Sequence, residues 1–255
     1  MDMKTTFNKL YHEYARLLDP NSAAFCKRVF YQDQSVYVRR LKAIGFEGLS
    51  KVLDAGCGYG QWTQAMARLN RKVTAIDTGS ERLMVLAELN KRLGLKNVRV
   101  RWAGVDNMPY ARETFDGVFS YSVIFSTPWK RTLREFYRVL RKGGKLYFNF
   151  NQIGWYFNLW KNNPNTAVNY NPRENAALAF MNTIQYSKYD KAPEKGQIIL
   201  SREECQDELK SIGFRKVICK GEGKINISGK RLKIVSFFKD SYESLPGIFE
   251  ILAIK

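Results

Sequence analysis

The stretch VLDAGCGYGQWT, Val52 to Thr63, constrains the fold more than any other part of the chain. Small and apolar residues run into glycines at positions 56, 58 and 60, and helix-forming residues follow at once. A buried strand must therefore pass through a tight turn almost free of side chains and emerge as a helix. Backbone opened in this way lets a flat or anionic ligand approach closely.

Beyond Ser50 the apolar residues alternate between two periods. KVLDAG, KVTAID, NVRVRWAGV, FDGVFSYSVI and KLYFNF read as strands. Between them Trp62, Met66 and Leu69 stripe one helix, and Leu83, Leu86, Ala87 and Leu93 a second that Gly94 stops. Trp129, Leu133, Phe136, Tyr137 and Leu140 stripe a third, and glycines 143 and 144 are expected to turn the chain into the fifth strand. Strands spaced by such helices make a parallel sheet through right-handed crossovers, an open, doubly wound α/β fold. Its ligands sit at the carboxyl ends of the strands. Ser201 to Glu204 is a capping box opening a helix that ends at Gly213, after which FRKVICK reads as a sixth strand.

The turn chemistry narrows the ligand. A dinucleotide fingerprint needs a third glycine, but that place holds Gln61 in one register and Thr63 in the other. A phosphate loop needs Gly-Lys-Ser/Thr, which is also missing. What stands instead is D-x-G-x-G-x-G from Asp54 to Gly60, with Asp77 closing the second strand and Asp106 just past the third. Taken with DNMPYARETFDGVFSYSVIF and FYRVLRKGGKLYFNF in this order and spacing, the set resembles the class I S-adenosylmethionine-dependent methyltransferases from Leu49 to Asn149.

That resemblance implies a Rossmann-like methyltransferase fold with a mostly parallel seven-stranded sheet, closed by GIFEILAIK as an antiparallel last strand. It implies S-adenosylmethionine as cofactor, held along Asp54, Ala55, Gly56, Cys57, Gly58 and Gln61. Asp54 would meet the ammonium group, and Asp77 with Thr78 the ribose. Asp106, Asn107 and Met108 would lie at the adenine, and Ser120, Tyr121 and Ser122 would border the transferred methyl. The place where adenine-N6 enzymes carry an Asn/Asp-Pro-Pro-aromatic tetrad reads SYSV, and no cysteine follows a proline as cytosine-C5 enzymes require. SVIFSTPW offers no cluster of acidic metal ligands, so the reaction is expected to be metal-independent.

The acceptor is less constrained. The excursion at about 151–200 exceeds what a crossover needs, and it is dense in aromatics (Trp155, Tyr156, Trp160) and asparagines. It is expected to act as a lid over a small-molecule or glycan acceptor, together with a helical cap formed by residues 1–48. The only histidine, His12, stands off the apolar stripe of the first helix beside Glu13. His12, Tyr11, Tyr14 and Tyr121 are the candidate catalytic groups, none with a defined role.

The net charge of +18 and a basic helix face (Lys130, Arg131, Arg134, Arg138, Arg141, Lys142) keep an RNA methyltransferase as the alternative. A cofactor-binding scaffold without catalysis is a third reading. Four scattered cysteines support neither a zinc cage nor a disulfide framework. The N-terminus lacks the apolar core, about 7–15 residues long, of a signal peptide, and a soluble, cytoplasmic protein is expected.

Overall fold

The computed structural model describes residues 3–164, 166, 170–189 and 193–255. Three helices come first: α1 (Met3–Tyr14), α2 (Pro20–Tyr31) and α3 (Ser35–Ala43). The alternating region holds β1 (Lys51–Ala55), α4 (Gln61–Leu69), β2 (Lys72–Asp77), α5 (Ser80–Arg92), β3 (Val98–Trp102), β4 (Phe115–Ser120), α6 (Trp129–Val139) and β5 (Leu140–Asn151). A helical pair follows, α7 (Ile153–Asn162) and α8 (Pro172–Tyr189), then α9 (Arg202–Ile212) and β6 (Arg215–Gly221). A small hairpin, β7 (Ser241–Tyr242) and β8 (Leu245–Pro246), precedes the closing β9 (Ile248–Ile254).

Seven strands form one sheet in the order β3-β2-β1-β4-β5-β9-β6, with β9 antiparallel to both neighbours. This is the expected Rossmann-like arrangement. The order reverses beside β1, so the carboxyl ends of β1, β2 and β4 open onto one crevice. One boundary differs from the sequence reading. Glycines 143 and 144 do not precede β5 but lie inside it: Leu140 already pairs with Phe115, and pairing resumes at Lys145 with Gly117. Gly143, at φ +76°, absorbs the irregularity as a bulge.

Both sheet faces are buried. On one, Leu133 and Phe136 of α6 and Leu209 of α9 pack on Phe148 and Phe150. On the other, Tyr37 and Leu41 of α3 and Trp62 and Met66 of α4 cover Phe119, Tyr147 and Leu252. Each such side chain contributes about 1.5–3 kcal/mol of burial. The N-terminal helices are part of this packing. Phe7 and Leu10 of α1 and Val29 and Phe30 of α2 close against Val85 and Leu89 of α5. Asp19 caps α2, accepting from the amides of Asn21 at 3.0 Å and Ser22 at 3.1 Å, with Pro20 at the first helical position.

Candidate active site

The glycine turn is built as its residues dictate. The amides of Gly56 and Cys57 both donate to the Ile76 carbonyl at 2.9 Å, tying the turn to β2. Gly56 and Gly60 have positive φ, and a Cβ would stand 2.3 Å from a Val123 methyl at the first and 2.2 Å from a Leu86 methyl at the second. At Gly58 a Cβ would meet nothing within 4 Å, because that position faces open space. Asp77 closes the floor. Its Oδ2 accepts from the Gly58 amide at 2.9 Å, and its Oδ1 accepts from the Gly79 amide at 2.8 Å and from the Arg82 guanidinium at 2.6 Å.

The turn opens into a cavity of about 1070 Å³. Gly56, Cys57, Gly58, Gln61, Asp77, Thr78 and Asp106 line it as the sequence reading expected, joined by Ala103, Gly104 and Val105 of the stretch after β3. On the β4–β5 side the wall is aromatic: Tyr37, Trp62, Tyr121, Phe237, Trp155 and Phe238. Ring centroids lie 4.8 Å apart for Tyr37 and Trp62, 5.0 Å for Trp62 and Tyr121, and 5.6 Å for Tyr37 and Phe237. Ser122 completes this side, while Phe25 and Arg28 of α2 and Gln32 just past its end form the outer edge.

Other expected residues lie off the wall. Asp54 is 1% exposed, and its Oδ2 accepts from the Thr63 hydroxyl at 2.6 Å. Burial pushes its carboxyl up to about 7, against the opposing effect of the Thr63 bond. Ser120 donates to the Ala55 carbonyl at 2.9 Å, so these two satisfy each other beneath the turn. Met108 is buried in the core by α6, and Asn107 faces solvent. Of the three residues expected at the adenine, Asp106 lies on the cavity wall beside Ala103, Gly104 and Val105, and Asn107 and Met108 do not.

The N-terminal candidates are displaced by one helix. The apolar stripe of α1 is consumed in packing on α5, which leaves Tyr11 and Tyr14 half-buried beside that cluster and His12 exposed. None of the three lines the cavity; α2 does. The excursion is corrected in the same way. Among its described residues only Trp155 reaches the wall, because α7 starts at the end of β5 and then runs away from it. Tyr156 is fully buried, donating to Gln197 Oε1 at 3.0 Å, and Trp160 is 52% exposed. Asn158 and Asn162 bond each other on the outer surface of α7.

Sequence reasoning missed the residues of α2, Tyr37 and the pair Phe237–Phe238. The last had a signal: two adjacent aromatics in the lysine-rich connection between β6 and β9. Trp62 was read only as core. It is core, but its ring also faces the cavity.

Behind the aromatic wall lies a buried charge cluster. Arg40, Glu222 and Glu250 are each no more than 2% exposed. The guanidinium pairs with Glu222 and, at 2.8 Å, with Glu250 Oε2. Tyr147 donates to the same Glu250 oxygen at 2.6 Å, and the Ile225 amide to its Oε1 at 2.6 Å. Tyr121 donates to Glu222 Oε1 at 2.7 Å, and the Phe237 amide to its Oε2 at 2.8 Å. Burial, and then the Glu222 charge, hold the Tyr121 phenol well above its usual range.

The basic face along α6 is largely engaged. Arg134 meets Glu208 at 2.9 Å, Arg138 meets Glu135 at 2.6 Å and Arg141 meets Asp116 at 2.8 Å, while Arg131 stands 3.8 Å from Asp106. Among the described residues no group of three His, Cys, Asp or Glu side chains is placed to hold a metal ion.

Fold and site together define a class: a doubly wound domain with a glycine turn and a β2-terminal carboxylate facing one crevice. Residues 53–148 match the family model described as a methyltransferase domain. Over 98 residues the chain is 35% identical to a demethylmenaquinone methyltransferase of Alkalihalophilus pseudofirmus, covering 37% of this chain and 42% of that protein. Over 103 residues it is 35% identical to a ubiquinone biosynthesis O-methyltransferase of Xanthomonas oryzae pv. oryzae, covering 39% and 42%. The chain thus spans well under two thirds of the length of these curated relatives. A geranyl diphosphate methyltransferase solved in complex with SAM superposes with a TM-score of 0.60 over 94% of each chain at 16% identity. Residues 53–148 thus carry a methyltransferase domain, set in the seven-stranded sheet of a Rossmann-like, S-adenosylmethionine-dependent class I methyltransferase fold.

S-adenosylmethionine is that family's cofactor, and the residues present fit it. Gln61 Oε1 is buried on the cavity side without a hydrogen-bond partner, an acceptor suited to an ammonium group. The space above Gly58 is open, and Asp77 offers a ribose the carboxylate oxygens now engaged by Gly58 and Arg82.

Proposed function

We propose that this protein transfers a methyl group from S-adenosylmethionine to a small-molecule acceptor. One observation supports the reading above the rest: a single cavity joins the glycine turn and Asp77 to an aromatic chamber. Its volume, about 1070 Å³, lies just above the range of about 300–1,000 Å³ for one drug-sized ligand, so cofactor and acceptor have room side by side. The cofactor supplies an activated methyl on a positively charged sulfur. Asp77 would hold the ribose and Gln61 the ammonium group on either side of that sulfur, and the rings of Trp62, Tyr121 and Phe237 exclude water and align the acceptor.

The acceptor is a small molecule seated among rings rather than a glycan, because the described asparagines of the excursion do not line the cavity. We read the reaction as metal-independent. An RNA acceptor has less support, since the four arginines of the basic face that suggested it each stand within ion-pair distance of a carboxylate. A cytoplasmic setting is supported by four free cysteines and by the lack, among the described residues, of any helix long and apolar enough to cross a membrane.

The direct test is transfer from methyl-labelled S-adenosylmethionine to a panel of small amines, phenols and quinols, alongside a structured RNA. Label appearing in a small molecule is the expected outcome. Label in RNA alone would overturn the acceptor class, and cofactor binding with no transfer to any acceptor would favour the scaffold reading.

A further inference from the structure

Two features of the sequence are left over by the active site: the +18 charge and most of the aromatics of the excursion. They meet on the outer side of α7–α8. The inner side of this pair is spent on packing, where Tyr156 and Leu159 of α7 close on Ala176 and Ala179 of α8, and Tyr186 reaches Trp129 with ring centroids 6.4 Å apart. At 3.6 residues per turn, Met181, Ile184 and Lys188 then fall on the other side of α8, with Arg173 and Phe180 along one edge. That edge joins α7. Phe180 meets Phe157 with centroids 5.8 Å apart, and the Arg173 Nε donates to the Trp160 carbonyl at 3.0 Å. Phe157, Trp160, Met181 and Ile184 are 49%, 52%, 57% and 67% exposed. Singly each would be ordinary, but joined across two helices they form a face of the kind that marks a binding surface.

Cations frame this face. Arg173 and Lys188 stand exposed towards the two ends of α8, and neither is in an ion pair among the described residues. Lys161 and Lys195 do meet carboxylates, Glu243 at 2.8 Å and Glu174 at 3.9 Å, in exposed pairs that water and salt screen. An anionic lipid surface answers both halves of the pattern: phosphates for the basic rim, and acyl chains for the rings and aliphatic side chains. Tryptophan suits that boundary, with an apolar ring and a polar N–H. A second copy would press another +18 charge against the same rim, and RNA phosphates would meet the rim but leave Met181 and Ile184 in water. No described helix is long and apolar enough to cross a bilayer, so the contact is with its surface. Trp155, on the cavity wall, belongs to the same ten-residue helix as Phe157 and Trp160, which links the cavity to this face.

We propose that the outer face of α7–α8 seats the protein on an anionic phospholipid membrane. The full chain is sedimented with vesicles of equal parts phosphatidylcholine and phosphatidylglycerol, and with vesicles of phosphatidylcholine alone. Partition onto the anionic vesicles is expected to be roughly tenfold stronger or more. Charge alone would give that preference, so the deciding variants leave every charge in place. Trp160→Ser combined with Met181→Ser and Ile184→Ser should weaken partition onto the anionic vesicles roughly tenfold or more. Met84→Ser, at an exposed position of α5, should leave it within about twofold. Thermal midpoints taken without lipid check that each variant is folded. If the triple variant loses more than about 5 °C, Met181→Ser with Ile184→Ser, confined to α8, takes its place with an expected loss of about threefold or more. Partition that these neutral substitutions leave unchanged would reduce the effect to general charge and overturn the proposal. Equal partition onto the two kinds of vesicle, or none onto either, would overturn it as well. A dimer seen by light scattering without lipid, and abolished by the same substitutions, would give the face to a second copy instead.

Discussion

Asp77 is committed before any ligand arrives: the Gly58 amide holds one oxygen, and the Gly79 amide and Arg82 hold the other. The Arg82 side chain is 40% exposed, so its pair with Asp77 is weak enough for ribose hydroxyls to displace. Asp77→Ala should therefore weaken S-adenosylhomocysteine binding by about 2–3 kcal/mol, the scale of hydrogen bonds to a charged group. Unchanged affinity by calorimetry would remove Asp77 from the site. Asp54 has a different consequence. Burial lifts it from 3.8 to about 7 in the folded chain, while the unfolded chain releases that proton near 3.8. Between those values the folded state binds the extra proton, so this group makes stability fall as pH rises from about 4 to 7, and its effect levels off above. Asp54→Asn should flatten that fall, measured as urea midpoints at pH 5 and pH 7.5. A variant whose midpoints fall as steeply as the parent's would count against a raised Asp54.

The helical pair α7–α8 shows what an element's composition reveals and what it hides. Its aromatics announce burial or binding, but α7 starts at β5 and buries its length against α8, so one turn faces the cavity and the rest does not. Trp160→Ala should leave stability within about 0.5 kcal/mol of the parent, as at other exposed positions. Tyr156→Ala should cost about 3–5 kcal/mol in urea unfolding, the cost of emptying a closed core. A large loss at Trp160 would mean that its surface is covered in solution. The same contrast explains how much could be read from the chain. The strands, the glycine turn and Asp77 were legible because periodicity and φ-restricted glycines act through local geometry. The α2 wall, Phe237–Phe238 and the Arg40 cluster were not. Arg40 meets Glu222 and Glu250 across 182 and 210 residues, and nothing in the local pattern around an arginine on an otherwise ordinary helix announces such partners.

At the scale of the whole molecule, the N-terminal helices and the sheet share one continuous system of packing. α1 and α2 close on α5, while α3 covers α4 and the sheet. Removing this cap would expose Tyr59 within the glycine turn and Trp62 just after it, so cap, turn and cavity should unfold together. A ligand binding the turn then stabilises the entire chain. S-adenosylhomocysteine at about a hundred times its Kd should add about 2.7 kcal/mol. For a chain of this size that corresponds to a rise of roughly 5–11 °C in a single thermal transition, at about 2–4 °C per kcal/mol. NAD at the same concentration should leave the transition in place, because Gln61 and Thr63 stand where a dinucleotide turn needs its third glycine. Two measurements by differential scanning calorimetry check both halves of this. An equal rise with NAD would return the turn to the dinucleotide class. A second transition that S-adenosylhomocysteine does not move would show that the N-terminal helices fold apart from the site they wall.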